Sequence, residues 1–196
     1  MAQLTCSYGV QQTPGRQLVS GDWAELMRVW GHQDIVDFSH VGGDANPIHL
    51  DDEYVWWLPS SSSGWVAGAY VVPLLARFAS KTRFGKRIAH GMLSAGLFGT
   101  ALATCIPGAV YLSQNLRFVA PVYLDTPVVA RVEVAEATGR KVHFKTTAFC
   151  IPPVGAEAVE QAAMDGDSAW DLVREEDAAQ RFLVIDGEAS VMLPKT

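Results

Sequence analysis

Cysteine is scarce and scattered: Cys6, Cys105 and Cys150 stand far apart and form no C-x-x-C pair. That spacing offers neither a disulfide framework nor a zinc site, and a reducing compartment is the expectation. Charged residues are also few, 18% against 49% hydrophobic, which is the balance of a folded chain rather than a disordered one. No apolar run is long enough for a membrane helix. The greasiest, WVAGAYVVPLLARF from Trp65 to Phe78, is interrupted by Pro73 and reads as buried or pocket-lining. The first 20 residues hold one Arg and no continuous apolar core, unlike a secretory signal or a typical transit peptide. The ending Leu193-Pro194-Lys195-Thr196 is not a peroxisomal address. The cytoplasm is the default, with mitochondrion and peroxisome left open. There is neither a nucleotide-binding Gly-rich loop nor a metal-ligand cluster, so no metal and no cofactor are expected.

Acidic residues are missing from a long stretch. Residues 54–124 hold none, but carry six bases: Arg77, Lys81, Arg83, Lys86, Arg87 and Arg117. A one-signed patch attracts an anionic ligand, unless it is simply a solvated face. The acids gather instead in residues 156–181, where eight face only Arg174 and Arg181 and account for the whole net charge of −6. With that overall balance and no recognised binding motif, nucleic acid is not an expected partner.

What is present fits one domain of 196 residues, long enough to bury a substantial core. Residues 23–30 read as a strand, and His32 to Val41 as a short amphipathic helix with Ile35, Val36, Phe38 and Val41 on roughly one side. His90 to Cys105 is apolar on nearly all sides, which predicts a buried helix, and Ile106-Pro107-Gly108 stops it. Strands are expected over Tyr111–Tyr123, Pro127–Ala137, Lys141–Ile151 and Arg181–Leu193. The result is an α+β layout, an antiparallel sheet packed on one long helix.

One loop is richer than a turn requires. In GDANPIHLDDEY, Gly43 to Tyr54, the preceding Gly-Gly pair permits positive φ, and Asn46-Pro47 favours a turn. Asp51, Asp52 and Glu53 suit the start of a helical turn. No turn needs His49. A carboxylate at Asp44 and an imidazole at His49 on a stiff loop could meet on one water; a polar loop capping the next helix is the plainer reading.

In order, GDANPIHLDDEY, TRFGKRIAHGML (Thr82 to Leu93) and LSQNLRFVAPVYLDTPVVARVEV (Leu112 to Val134) resemble the MaoC-like dehydratase family, which includes the (R)-specific, or type 2, enoyl-CoA hydratases. The resemblance implies a hot-dog fold, in which a curved antiparallel sheet wraps around a central helix, and pairing into a homodimer or higher oligomer. It implies Asp44 and His49 as the catalytic pair. Asn46 and Pro47 shape their loop, and Gly91, at the start of the central helix, is the oxyanion donor. The substrate carrier would be CoA or acyl carrier protein, in a groove at or near the subunit interface. Arg83, Lys86 and Arg87, just before that helix, would meet the CoA phosphates. His32, His40, His90 and His143 are read as structural.

The chemistry implied is hydration of a trans-2-enoyl-CoA to an (R)-3-hydroxyacyl-CoA, in either direction. Asp44 and His49 would polarise one water, and a helix N-terminus would hold the developing thioester oxyanion. The alternatives are a 3-hydroxyacyl-ACP dehydratase, an acyl-CoA thioesterase and a non-catalytic acyl-CoA-binding module. Against the simple bacterial members, the chain inserts residues at about 55–81 and 152–180. The first insertion, with Trp56, Trp57 and Trp65, could line an acyl tunnel or merely thicken the core. The second reads as an acidic surface excursion.

Overall fold

The structure is a computed structural model that describes residues 5–8, 17–50, 82–151 and 181–195, with β1 described by its backbone. The two expected insertions, 55–81 and 152–180, lie outside the described residues, as does the expected helical turn at Asp51–Glu53.

Among the described residues six strands form one sheet in the order β1-β2-β4-β5-β6-β3. They are β1 (Thr5–Tyr8), β2 (Trp23–Val29), β3 (Val110–Phe118), β4 (Pro127–Thr138), β5 (Lys141–Cys150) and β6 (Phe182–Met192). Every pairing is antiparallel. Among the described residues two helices accompany it, α1 (His32–Gly42) and α2 (Gly91–Cys105). The layout is the expected α+β one, with α2 packed across β4, β2 and β5.

The side-chain alternation of the strands makes this core. Leu26 on β2 and Val128, Ala130 and Val132 on β4 point to the helix side and are buried, meeting Phe98 and Leu102 of α2. Their neighbours Met27 and Val129 point the other way and form a second buried cluster with Ile151. A buried phenyl ring such as Phe98, with no exposed surface, contributes about 1.5–3 kcal/mol by leaving water.

α1 begins where Asp34 turns back on the chain. Its Oδ2 accepts the Gly31 N–H at 2.9 Å, and its Oδ1 takes the Arg28 guanidinium at 2.8 Å. Ile35, Val36 and Ser39 are its buried side, while Val41, expected on that side, is 89% exposed. The helix ends at Gly43, whose φ of 72° is the left-handed cap that glycine adopts without strain.

Two further expectations need correction. α2 is not covered on every side: Met92, Gly96, Ala103 and Thr104 are exposed, because the sheet reaches only one flank of it. The strand expected to run to Tyr123 stops at Phe118, where the regular ladder breaks because the Val119 and Ala120 N–H groups both bond the one Val184 carbonyl of β6. Beyond it, Tyr123 forms an isolated bridge with Ile88. Finally, β1 was not anticipated. Its four residues, TCSY, are too short for alternation to be read.

Candidate active site

The Gly43–Leu50 loop is fixed from within and from below. Asp44 Oδ1 accepts the Asn46 N–H at 3.2 Å, Asn46 Oδ1 accepts that of Ile48 at 3.2 Å, and the Asn46 carbonyl accepts that of His49 at 3.0 Å. Asn46 therefore shapes the turn, as short polar side chains do. Below, Ile88 N–H bonds the Ile48 carbonyl at 3.3 Å, and Ala89 N–H bonds that of Val122 at 2.7 Å. The loop is thus laid against the segment that leads into α2.

Asp44 and His49 come together. His49 Nε2 stands 4.0 Å from Asp44 Oδ2, with the imidazole nearly buried, 11% exposed, and the carboxylate half in solvent, 51%. His49 Nδ1 lies 2.8 Å from the Ile88 carbonyl. A carbonyl only accepts, so Nδ1 carries the hydrogen, and in the neutral ring Nε2 presents its lone pair toward Asp44. Burial holds the His49 pKa below the ordinary 6.5. Its bond to Ile88 and the Asp44 charge pull upward, while His90 adds to the lowering.

His90 belongs to this group although it was read as structural. Its Nε2 donates to the Asp44 main-chain carbonyl at 3.0 Å, and its ring lies 3.9 Å from that of His49 at a tilt of 32°. Donor atoms of Asp44, His49 and His90 all fall within 4.8 Å of one another, the spacing at which a cation could be shared. Of the four ring nitrogens, two are committed to carbonyls, and stacked rings converge their in-plane lone pairs poorly on one ion. The signal for His90 in the sequence was its place directly before Gly91.

Gly91 is the first residue of α2, after the N-cap His90, so its amide is among the unpaired donors of a helix N-terminus. The side chain packed on it is Phe118, which the sequence did not single out; a Cβ on Gly91 would meet its ring at 2.8 Å. The three basic residues sit on the segment before α2, but differently. Arg83 lies over Phe84 at 4.8 Å and Lys86 over Tyr123 at 4.5 Å, both exposed. Arg87 is half-buried and donates to His32 Nδ1 at 2.7 Å. A groove of about 340 Å³ opens along the uncovered face of α2, lined by Met92, Gly96, Gly99, Leu102, Tyr111 and Gln114 among others.

Residues 75–149 match the model of the MaoC like domain, a span that includes α2 and Gly91 but not Asp44 or His49. A 3-hydroxybutyryl-CoA dehydratase of Methylorubrum extorquens is 35% identical over 147 residues, covering 74% of each chain. The chain is a member of the MaoC-like dehydratase family. Another relative of this MaoC-like chain is a mitochondrial 3-hydroxyacyl-[acyl-carrier-protein] dehydratase, FERN, of Solanum lycopersicum. It is 28% identical over 176 residues, 89% of this chain and 76% of its own length. Among solved structures, an unliganded R-hydratase of Pseudomonas aeruginosa superposes with a TM-score of 0.60 at 30% identity, covering 91% of this chain and 84% of that one. The fold is accordingly the hot dog expected from the sequence. These relatives are hydratases and dehydratases, carbon–oxygen lyases by name. Among the described residues no helix is long and apolar enough to cross a membrane.

Proposed function

We propose that this MaoC-like protein is an (R)-specific enoyl-CoA hydratase, adding water reversibly to trans-2-enoyl-CoA to give (R)-3-hydroxyacyl-CoA. The observation that carries this reading is the 4.0 Å separation of Asp44 Oδ2 and His49 Nε2, two acceptors that one water can bridge by donating a hydrogen to each.

The roles follow from the atoms. As the water oxygen bonds to C3, one of its O–H bonds breaks and the proton passes to His49 Nε2, while Asp44 orients the water and assists as base. The C2=C3 electron pair moves onto the thioester as an enolate, whose oxygen the Gly91 N–H would hold. Returning the proton from His49 to C2 completes a syn addition without a second acid on the far face. Acid–base help of this kind is typically worth about 10²–10⁴ in rate, and one oxyanion donor about 10²–10³. No metal or cofactor enters this scheme; the thioester carrier is the only added group.

The acyl chain would lie in the groove beside α2, and the CoA phosphates would be met by Arg83 and Lys86. Arg87 spends its guanidinium on His32 and would contribute mainly field. A homodimer is supported by β3, an edge strand that exposes Val110, Leu112 and Phe118, since an apolar edge is a template for another chain. We take residues 1–196 as one domain whose insertions at 55–81 and 152–180 modulate access or assembly, in the cytoplasm by default.

The second reading, a 3-hydroxyacyl-ACP dehydratase, is favoured by the long match to the tomato relative. The same acid–base pair would serve, and the cationic segment would meet an acidic carrier protein. The test is to mix purified protein with crotonyl-CoA, longer enoyl-CoAs and enoyl-ACP. Loss of enoyl-thioester absorbance and release of free thiol are followed with Asp44→Asn as control. Absorbance loss without thiol, absent in the variant, is expected. Thiol release would make the protein a thioesterase, and silence on every substrate would make it a binding module.

A further inference from the structure

His90 is 2% exposed, and its surroundings are odd for a residue that only fills space. Its ring touches both Phe38 of α1, 4.9 Å away between centroids, and His49, 3.9 Å away. Its Nε2–H holds the Asp44 carbonyl at 3.0 Å. Its Nδ1 is shut away from solvent with no hydrogen-bond partner among the described residues. An unsatisfied buried acceptor costs about 1–3 kcal/mol, a penalty that a leucine or phenylalanine of similar bulk would avoid. Something other than packing favours an imidazole here.

We propose that His90 is a positioning residue of this site: it fixes the Asp44 main chain and the plane of the His49 ring so that carboxylate and imidazole address the same water. The inference rests on the hydratase reading above. The Asp44 side chain is half in solvent, and its one described side-chain hydrogen bond goes to the neighbouring Asn46 amide. Placement of that carboxylate therefore depends on where its own backbone is held, and His90 reaches that backbone from the start of α2. The stack does the same for the other partner. His49 is pinned at Nδ1 by Ile88 but could still tilt about that bond, and the His90 ring on its face restricts the tilt. A misplacement of about 1 Å in such a pair can cost about 10²-fold in rate.

The titratable groups that face His49 are Asp44 and His90. Phe38, which also meets the His90 ring, is apolar, and the first turn of α2 carries no acid. His90 adds to the lowering of the His49 pKa, behind burial, so an acid limb of kcat/KM moved to higher pH is a secondary readout of its replacement.

Two variants separate positioning from folding. His90→Phe keeps an aromatic ring against Phe38 and His49 but loses the N–H to Asp44. His90→Gln keeps a donor of similar reach but loses the ring. For His90→Phe, kcat should fall tenfold to hundredfold with KM within about twofold, and the acid limb should move up in pH. For His90→Gln, kcat should recover to within about tenfold of the parent, with the limb shifted likewise. Parental kcat and pH profile in His90→Phe would overturn the proposal. So would equal losses in both variants with an unmoved limb, the mark of a residue that only supports the fold. If His90→Phe fails to fold, His90→Ala takes its place as the variant without the donor, and a kcat equal to that of His90→Gln overturns the proposal. Imidazole NMR titration of His49 in parent and variants needs no substrate. Should the parent be inactive on every enoyl thioester, the hydratase reading falls by itself. Asp44 amide and carboxylate resonances unchanged between parent and His90→Phe would then sink the positioning role separately.

Discussion

The ring of Phe118, at the end of β3, lies against the α-carbon of Gly91 at the start of α2, so that a Cβ on Gly91 would stand 2.8 Å from the Phe118 ring. Glycine at this position therefore satisfies a packing demand that is independent of any oxyanion. A loss of activity in Gly91→Ala cannot be assigned to the amide without removing that demand.

The first prediction uses the pair to separate the two effects. Phe118 is half-exposed and its ring can swing aside, so Gly91→Ala should cost only about 1 kcal/mol of stability, at the mild end for overpacking. Combining it with Phe118→Ala should remove the thermal shift caused by the added methyl. If a thioester oxygen approaches the Gly91 amide closely, kcat of the double variant stays well below that of Phe118→Ala alone. Equal kcat in those two proteins would reduce Gly91 to a packing residue.

The second prediction concerns the acid–base pair. Asp44→Asn and His49→Gln should each lower kcat by about 10²–10⁴. Asp44 is half in solvent, so its loss should leave the melting temperature nearly unchanged, while His49, buried and bonded to Ile88, should show a measurable drop. Retention of more than a tenth of the parental kcat in Asp44→Asn would remove the carboxylate from the mechanism.

What the sequence made legible was whatever local pattern controls. The buried stripe of α2, the long strands β4 to β6 and the Gly43 cap are set by periodicity and turn chemistry, and they appear within a residue or two of their expected limits. The Asp44–His49 meeting was legible because both lie on one stiff turn. His90 and Phe118 were not, since each reaches the site across long sequence separations, 46 residues from His90 to Asp44. Contacts of that kind leave no trace in spacing. The exposed side of α2 was hidden for a related reason: a stripe of Gly and Ala looks apolar on every side, whether or not anything covers it.

The third prediction follows from His49. Burial lowers its folded-state pKa below 6.5, so between that lowered value and about 6.5 the unfolded chain binds more protons than the folded one. Stability from this group is complete above about pH 6.5 and is lost as pH falls through the window. Activity should follow the same residue, with an acid limb of kcat/KM below pH 6.5. Denaturant midpoints measured across the window should fall less steeply with acid in His49→Gln. An inflection well above 6.5 would contradict the buried neutral ring.

The fourth prediction tests the sheet edge that borders the α2 groove. A Cβ at Gly187 on β6 would run into the backbone carbonyl of Asn115 on β3 and the Leu116 side chain. Unlike the Phe118 ring, a backbone carbonyl in a paired strand cannot swing away, so Gly187→Ala should cost about 3 kcal/mol, the upper part of the overpacking range. The cost should fall on the β3–β6 pairing, where Leu116 stands opposite Gly187. Hydrogen exchange should show β3 amides losing protection before those of β4 and β5. If the hydratase reading holds, the same loosening should raise KM for long enoyl chains more than for crotonyl-CoA, because Tyr111 and Gln114 of β3 line the groove. A variant with parental stability would mean that β3 and β6 sit farther apart at this point than the structure has them.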